Sequence, residues 1–293
     1  MIIGAAPPAQ ISYEKDRQIL KEHFTLFYEI LAKGEFSPQT CFENTGEVKR
    51  VISGIPFPHH NAILKHPQKN QSWDDCINQQ IQFFQTAKTP FVWYVDEKSD
   101  LELQKKLRDR GFKSDDVFQG VIGVLDPSLS SPIIPDGWSI HLIKDETELE
   151  EFQHLINTTF SLDKKIGELY RKAMWIGATS NSPKMFHWIA RHEKKAVSVL
   201  TTLVMGDQVS FWNSASLPEY RRQGFSSALR RFALHDAVSK GCRIGMSYLL
   251  SDGLSLGICR QLGYEPRWRY RAFISPESLS EDVQKQETQN NSI

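Results

Sequence analysis

Residues 126–137 read Asp-Pro-Ser-Leu-Ser-Ser-Pro-Ile-Ile-Pro-Asp-Gly. Each proline fixes φ and lacks an N–H, so neither a helix nor a central strand can run through this stretch. The chain must therefore build one structure before the break and another after it. A length of 293 residues leaves room for two units of roughly 100–200 residues each. The expected division is residues 1–130, then 136–275, then 276–293, a polar tail ending QKQETQNNSI. That tail has no apolar periodicity and is expected to be flexible.

The second unit has the clearer pattern. Trp138–Ile143 reads as a strand, followed by two helical stretches, Thr147–Phe160 and Asp163–Trp175. Met185–Arg191, Ala196–Met205 and Gln208–Leu217 are strand-like, and Glu193-Lys194-Lys195 and Gly206-Asp207 between them are turn chemistry. An antiparallel meander follows from that spacing. Phe225, Leu229, Phe232, Ala233 and Ala237 then share one helical face, which Gly241 terminates. Cys242–Leu250 alternates as a buried strand does, and Leu254, Ile258 and Leu262 mark a short helix closed by Gly263. Tyr264–Trp268 and Tyr270–Ile274 are predicted to be a final strand pair. The order is β-α-α-β-β-β-α-β-α-β-β, an α/β (α+β) fold.

Within this unit, Asn213-Ser214-Ala215-Ser216-Leu217-Pro218-Glu219-Tyr220-Arg221-Arg222-Gln223-Gly224-Phe225-Ser226 runs from a strand through a polar loop into the amphipathic helix. The first turn of a helix carries unpaired N–H groups and the positive end of its dipole, so such a junction suits an anion. Gly224 lets backbone approach a diphosphate, and Ser226 is small for the same reason.

Arg221-Arg222-Gln223-Gly224-Phe225-Ser226 resembles the acetyl-CoA loop of the GNAT superfamily, written as Arg or Gln, two residues, Gly, one residue, then Gly or Ala. Ser226 is the departure. Pro218-Glu219-Tyr220 and Leu262-Gly263-Tyr264 are similar to the same family, and the likeness covers residues 136–275. It implies an N-acetyltransferase that moves an acetyl group directly from acetyl-CoA to an amine on a small molecule or a protein. A non-catalytic acyl-CoA-binding regulatory protein is the alternative. Backbone groups of Ser214, Ala215 and Ser216 would pair with the pantetheine arm, and N–H groups across Arg221–Ser226 would hold the pyrophosphate.

The resemblance also puts a question. Where the family commonly places a tyrosine acid, this chain has Cys259. Its thiol could protonate the departing thiolate or simply fill core space. Tyr248 could offer a hydroxyl from the end of the fifth strand or serve as a core aromatic. Asp252 reads as an N-cap or a base, Glu219 as a capping or solvated residue, and Trp212 as a candidate wall of the acceptor pocket.

The first unit echoes part of the second. Pro90–Val95 is strand-like, Leu103 and Leu107 share a helical face, Gly111-Phe112 ends it, and Val117–Leu125 follows as a strand. Setting Gly111 on Gly263 (263 − 111 = 152) places Ser99-Asp100 on Ser251-Asp252, Leu107 on Cys259 and Phe112 on Tyr264. A duplicated, tandem GNAT-like arrangement is the expectation. Where the first unit's phosphate loop would fall, the chain reads His66-Pro67-Gln68-Lys69-Asn70-Gln71-Ser72-Trp73, with no glycine. That unit is therefore expected to be degenerate, a scaffold or a wall of the acceptor site.

Other chemistries find little support. Thirty-five basic residues balance thirty-five acidic ones, so no net field favours nucleic acid or an anionic membrane. No run approaches the ~20 apolar residues of a membrane span. No Gly-Lys-Ser/Thr follows the loop, and no GxSxG elbow occurs. His59-His60 read as loop residues, and His187 and His192 fall on opposite faces of one strand by parity, so no metal is expected. Arg267-Trp268-Arg269-Tyr270-Arg271 reads as a strand with arginines facing solvent. Cys41, Cys76, Cys242 and Cys259 form no CxxC pair, which fits free thiols in a cytoplasmic protein.

Overall fold

A computed structural model describes residues 12–67, 72–182, 184–251, 253 and 255–276. The first half contains α1 (Tyr13–Ala32), β1 (Cys41–Asn44), β2 (Lys49–Ile52), β3 (Ala62–Lys65), α2 (Trp73–Thr86), β4 (Val92–Asp96), α3 (Leu101–Asp109) and β5 (Lys113–Val124). The second contains β6 (Trp138–Leu142), α4 (Glu146–Phe160), α5 (Lys164–Thr179), β7 (Lys184–His192), β8 (Lys195–Met205), β9 (Gln208–Ser216), α6 (Phe225–Ser239), β10 (Ile244–Leu250), α7 (Ser255–Gln261) and β11 (Glu265–Ile274). The tail beyond Pro276 lies outside the described residues.

The strands form one mixed sheet in the order β1-β2-β3-β4-β11-β5-β10-β9-β8-β7-β6. β3 pairs with β4 in parallel, and so does β9 with β10; the other pairings are antiparallel. The duplication read from Gly111 and Gly263 extends through the elements. α2 and α6, β4 and β10, and β5 and β11 each begin 152 residues apart (225 − 73, 244 − 92, 265 − 113). In both halves the short helix ends alike: Phe112 N–H donates to the Leu107 carbonyl at 3.1 Å and Tyr264 N–H to the Cys259 carbonyl at 3.0 Å.

At the centre the halves exchange strands. β5 belongs to the first half but pairs with β10 and β11; β11 belongs to the second but pairs with β4 and β5. Every ladder hydrogen bond of each exchanged strand therefore crosses between halves. Glu265–Ile274 is one continuous strand, β11, rather than the expected pair Tyr264–Trp268 and Tyr270–Ile274. Its register against β5 shifts between Pro266 and Trp268 and between Arg271 and Phe273, bulge-like irregularities in the ladder. Its arginines are paired with carboxylates: Arg267 with Asp16 at 3.0 Å, Arg269 and Arg271 with Glu97 at 2.7 and 3.5 Å. Trp268 and Tyr270 point inward and are buried.

One face of the sheet carries a core shared by both halves, built on α1, α4 and α5. The other face carries two separate cores, one under α2 and α3 and one under α6 and α7. The long helix α1 lies over the exchanged strands. Phe24 on α1 meets six rings, those of Tyr28, Tyr94, Trp212, Tyr248, Trp268 and Tyr270, at 5.0–5.7 Å between centroids. Such tilted and edge-on contacts add to plain burial and fix ring positions. His23, also on α1, reaches Ser210 on β9 through Nδ1 at 3.1 Å. His187 joins α5 to the meander: its Nε2 faces the Met174 carbonyl at 3.0 Å and must donate, leaving Nδ1 to accept from Thr201 Oγ1 at 2.9 Å.

Two outcomes follow from this architecture. Fragments 1–130 and 131–293 made separately are each expected to lack cooperative melting by circular dichroism, and to regain it when mixed. Independent cooperative melting of either would contradict the exchange. Burial pushes His23 and His187 down to about 4 and His60 down to about 3, below the ~6.5 of an unfolded chain. As pH falls below ~6.5 the unfolded state takes up protons first, so stability is expected to decline progressively from there toward pH 4. A Tm that stays flat from pH 7 to 5 would contradict this.

Candidate functional site

β9 and β10 run side by side from Gln208 and Ile244 only as far as the Phe211–Ser247 rung. Beyond it they part. β9 stays with β8 as far as Ser216, and β10 stays with β5 as far as Leu250. The result is a wedge with two strand edges facing each other and no strand between them. A bulge shapes the β9 edge: Trp212 is opposite Thr201 and Ala215 opposite Val199, so Asn213 and Ser214 together face only Leu200. Asn213 takes a positive φ of 52° there. Its side chain locks the bulge, accepting from the Tyr170 hydroxyl at 2.6 Å and donating to Thr201 Oγ1 at 3.2 Å. Buried Ser198 holds the strand end, donating to the Ala215 carbonyl at 3.0 Å and lying 2.7 Å from Ser216 Oγ. The wedge thus presents backbone of Ser214, Ala215 and Ser216 to anything extended that enters it.

At the wedge mouth the chain turns once through Pro218–Tyr220 and reaches α6. Arg222 and Gly224 both have positive φ, 62° and 93°. Gly224 is the N-cap of α6, and no side chain caps that helix. By contrast, Ser12, Ser72, Asp145 and Asp163 each accept a hydrogen bond from the first turn of α1, α2, α4 and α5. The first-turn N–H groups of α6 are left for an external anion. Arg221, Arg222, Gln223 and Gly224 are exposed, and Ser226 is partly so. The Arg221 side chain donates back to the Ser216 carbonyl at 3.3 Å and Gln223 to the Glu219 carbonyl at 2.8 Å, which braces the loop. Glu219 pairs with Lys195 at 3.0 Å. The Phe225 ring is buried and stacked on Trp138 at 3.5 Å, so only its backbone is available at the mouth.

The corresponding place in the first half is closed. Ser72 Oγ accepts from Asp75 N–H at 3.1 Å, and Asp74 and Asp75 add negative charge to the first turn of α2. A phosphate would meet occupied donors and two carboxylates there. Gln68–Gln71, the rest of that stretch, lie outside the described residues, as does Asp252 near β10.

From the wedge a cavity of about 680 Å³ continues beneath α1 into the first half. Trp212, Asn213, Ser214 and Tyr248 line one end, and Phe57, His60 and Tyr94 the other. Tyr248 donates its hydroxyl to the Leu20 carbonyl at 2.6 Å, and burial pushes its pKa well above the usual phenol value. Cys259 is fully buried on the α6 side and is not part of the cavity lining. Burial pushes its thiol up, partly offset by Arg230 and by a hydrogen bond to Ser247. His187 and His192 lie on opposite sides of the sheet, against Met174 of α5 and against Phe225 of α6.

Two residues of the site escaped sequence reasoning. Arg230 on α6 is 2% exposed and lines the cavity at the wedge apex. Its Nη1 donates to Ser247 Oγ at 3.3 Å and its guanidinium lies 4.9 Å from the Phe211 ring centroid, so it touches both members of the last rung. Its Nε has no hydrogen-bond partner, and no carboxylate among the described residues pairs with it. An arginine one turn into an amphipathic helix ordinarily reads as surface. His60 is the other: read with His59 only as a loop residue, it closes the 3-10 turn Pro58–His60 and is buried.

No family model matches the sequence, and no curated protein does. Solved structures do match by shape. A GCN5-related N-acetyltransferase from Kribbella flavida superposes with a TM-score of 0.59 at 14% identity, over 86% of this chain and 95% of that one. A functionally unknown conserved protein from Staphylococcus epidermidis gives 0.61 at 10%, over 80% and 94%. A tandem GNAT protein from the clavulanic acid biosynthesis pathway, solved without AcCoA, gives 0.56 at 14%, over 81% and 83%. At such identities the likeness concerns the fold alone: this chain has a tandem GNAT-like fold.

The contrast between α6 and α2 has a direct consequence. Gly224→Val forces a β-branched residue to a φ of 93° and is expected to weaken CoA binding about tenfold or more in calorimetry. Ser72→Ala is expected to leave CoA affinity unchanged. Unaltered affinity in the Gly224 variant would contradict this placement.

Proposed function

We propose that the chain is an acyl-CoA-dependent N-acetyltransferase, moving the acetyl group of acetyl-CoA to an amine. The observation that carries this reading is the wedge between β9 and β10 with an uncapped helix N-terminus at its mouth. A pantetheine arm is an extended chain with amides on both sides, so it suits two facing strand edges. A diphosphate suits the free N–H groups of Phe225, Ser226 and their neighbours.

In the reaction the amine nitrogen donates its lone pair to the thioester carbonyl carbon, and the C–S bond breaks with its electron pair leaving on sulfur. The nitrogen loses one proton and the sulfur gains one, giving an amide and free CoA. Backbone N–H groups at the Asn213–Ser214 bulge suit the carbonyl oxygen as it becomes negative. Arg230 supplies a cation at the wedge apex, where negative charge develops on the departing sulfur. A buried guanidinium with no carboxylate partner among the described residues is costly unless an anion meets it, and a thiolate is such an anion. Cys259 lies beside Arg230 and Ser247 outside the cavity, and its role in this reading is packing. The Tyr248 hydroxyl is committed to Leu20 and positions α1 over the wedge.

A second reading, a non-catalytic acyl-CoA-binding regulator, draws on the burial of Cys259 where a tyrosine acid is common. Release of free thiol from acetyl-CoA across a panel of amines separates the two. The expected result is amine-dependent release. Cys259→Ala is expected to keep the rate within a few-fold and lower Tm slightly, the cost of a small cavity. Arg230→Gln is expected to lower kcat about a hundredfold with CoA affinity retained, as loss of an electrostatic partner in the transition state does. A hundredfold loss in the cysteine variant instead, with binding intact, would make Cys259 the acid.

A further inference from the structure

The cavity beneath α1 is walled mainly by rings, with Phe24, Phe27, Tyr28, Trp212 and Tyr270 in its lining. They brace one another. Phe27 stacks on Trp212 at 4.0 Å between centroids with planes 8° apart, and Phe24 meets Tyr28, Trp212 and Tyr270 at 5.4–5.7 Å. A flat apolar body entering here meets ring faces and edges that already hold one another in place.

The charge of this lining has one sign. Arg230 brings a cation to the wedge apex, and no described residue of the lining is an aspartate or glutamate. The other ionisable groups there are tyrosines and two histidines. Burial pushes the phenols of Tyr28, Tyr170, Tyr248 and Tyr270 up, away from the charged form. The Tyr94 hydroxyl accepts from Tyr28 at 2.7 Å and lies 3.3 Å from His59 Nδ1. Burial pushes His60 down to about 3, and protonation of either histidine only adds positive charge. An amine that arrives as an ammonium therefore loses its hydration and meets like charge. A neutral amine avoids both. The chemistry asks for the same state, because the attacking nitrogen needs a free lone pair. An arylamine satisfies both demands at pH 7, since its lone pair is shared with its ring and holds a proton weakly.

We infer that the acceptor is an arylamine, its nitrogen attached directly to a flat aromatic ring, bound uncharged in the cavity shared by the two halves. The inference rests on the acetyltransferase reading for the transfer step, but the amine site itself can be tested apart from it. In that step the nitrogen lone pair forms the C–N bond as the C–S bond breaks. The proton that nitrogen sheds passes to the departing sulfur, which gives an anilide and free CoA. One charge then has two effects: the Arg230 guanidinium favours the departing thiolate and excludes ammonium ions from the acceptor space. The first half contributes Phe24, Phe27 and Tyr28 to the apolar wall.

The test uses the full chain and two isomeric probes, 5-aminotetralin and 1-aminotetralin, with no acetyl-CoA present. They share one formula and one two-ring body, but the amine is on the aromatic ring in the first and on the saturated ring in the second. At pH 7 the first is neutral and the second is an ammonium. Binding is followed by calorimetry, and CoA is titrated in parallel as a control on the wedge. The neutral isomer is expected to bind at least tenfold more tightly. Equal binding, preference for 1-aminotetralin, or no binding of either would overturn the inference. Arg230→Gln removes the cation and is expected to narrow the gap at least threefold, with 5-aminotetralin held within a few-fold of the parent. An unchanged gap in the folded variant would count against the inference. Should the variant fail to fold, pH supplies the same comparison on the parent. From pH 7 to pH 9, 1-aminotetralin loses its proton, so its affinity is expected to rise at least tenfold while that of 5-aminotetralin stays within a few-fold; no rise for 1-aminotetralin would contradict the exclusion of its charged form. A protein that binds CoA and prefers 5-aminotetralin, yet releases no thiol when both acetyl-CoA and that amine are present, would leave the amine site standing and overturn the transferase reading.

Discussion

The central antiparallel pair of β5 and β11 is the constraint on which the rest depends. Each strand has both of its sheet neighbours in the other half of the chain. Neither half can complete its sheet alone, so the halves are held at a fixed angle and distance. That fixity is what allows α1 to lie across the junction, tied to the second half through Tyr248 and His23. It also lets a single cavity draw its lining from both halves. Exchange of terminal strands converts two related units into one continuous sheet, and the functional space is the one created where they meet.

The two halves then diverge in ways that a few residues explain. Both have a parallel strand pair joined through a turn and a helix. In the second half, glycine at the helix start leaves backbone donors uncapped. In the first, Ser72 takes the role of cap and two aspartates follow it. The first half's parallel pair also parts, after the Ile63–Trp93 rung, but the cavity of about 500 Å³ there is lined by charged side chains, and Asp96 at the end of β4 is held by Arg17 at 2.9 Å, Lys21 at 2.7 Å and the Trp268 indole at 2.6 Å. The start of α6 is left without a side-chain cap, whereas the start of α2 is capped internally. In the proposed reading the same backbone plan yields one binding site and one wall.

How much of this was legible in the sequence depended on the range of the interaction. Apolar periodicity reported the meander and α6, because a face such as Phe225, Leu229 and Ala233 is a local property. The loop at Arg221–Ser226 was legible for the same reason. The 152-residue offset found at Gly111 and Gly263 proved to govern three element pairs, since a positive φ leaves a glycine that sequence can register. The strand exchange was not legible. Tyr264–Trp268 and Tyr270–Ile274 were read as a strand pair with Arg267, Arg269 and Arg271 facing solvent, whereas Asp16 and Glu97 pair with these arginines across the halves. Arg230 was missed, and His60 was read only as a loop residue, because burial without a partner is defined only by the packed structure. Helix α1 had its signals, Ser12 as cap and Ile19, Leu20, Phe24, Phe27 and Leu31 on one face, but Asp16 and His23 on that buried face blurred the pattern.

The central claim is that one half of this sheet holds CoA and the other does not. Amide hydrogen exchange on the full chain, with and without saturating CoA, tests it most directly, because it reads backbone N–H groups at both candidate turns in one experiment. The expected result is protection at residues 213–216 and 223–227 on adding CoA, with no change at residues 72–75. Equal protection at the starts of α2 and α6, or none at either, would contradict the account.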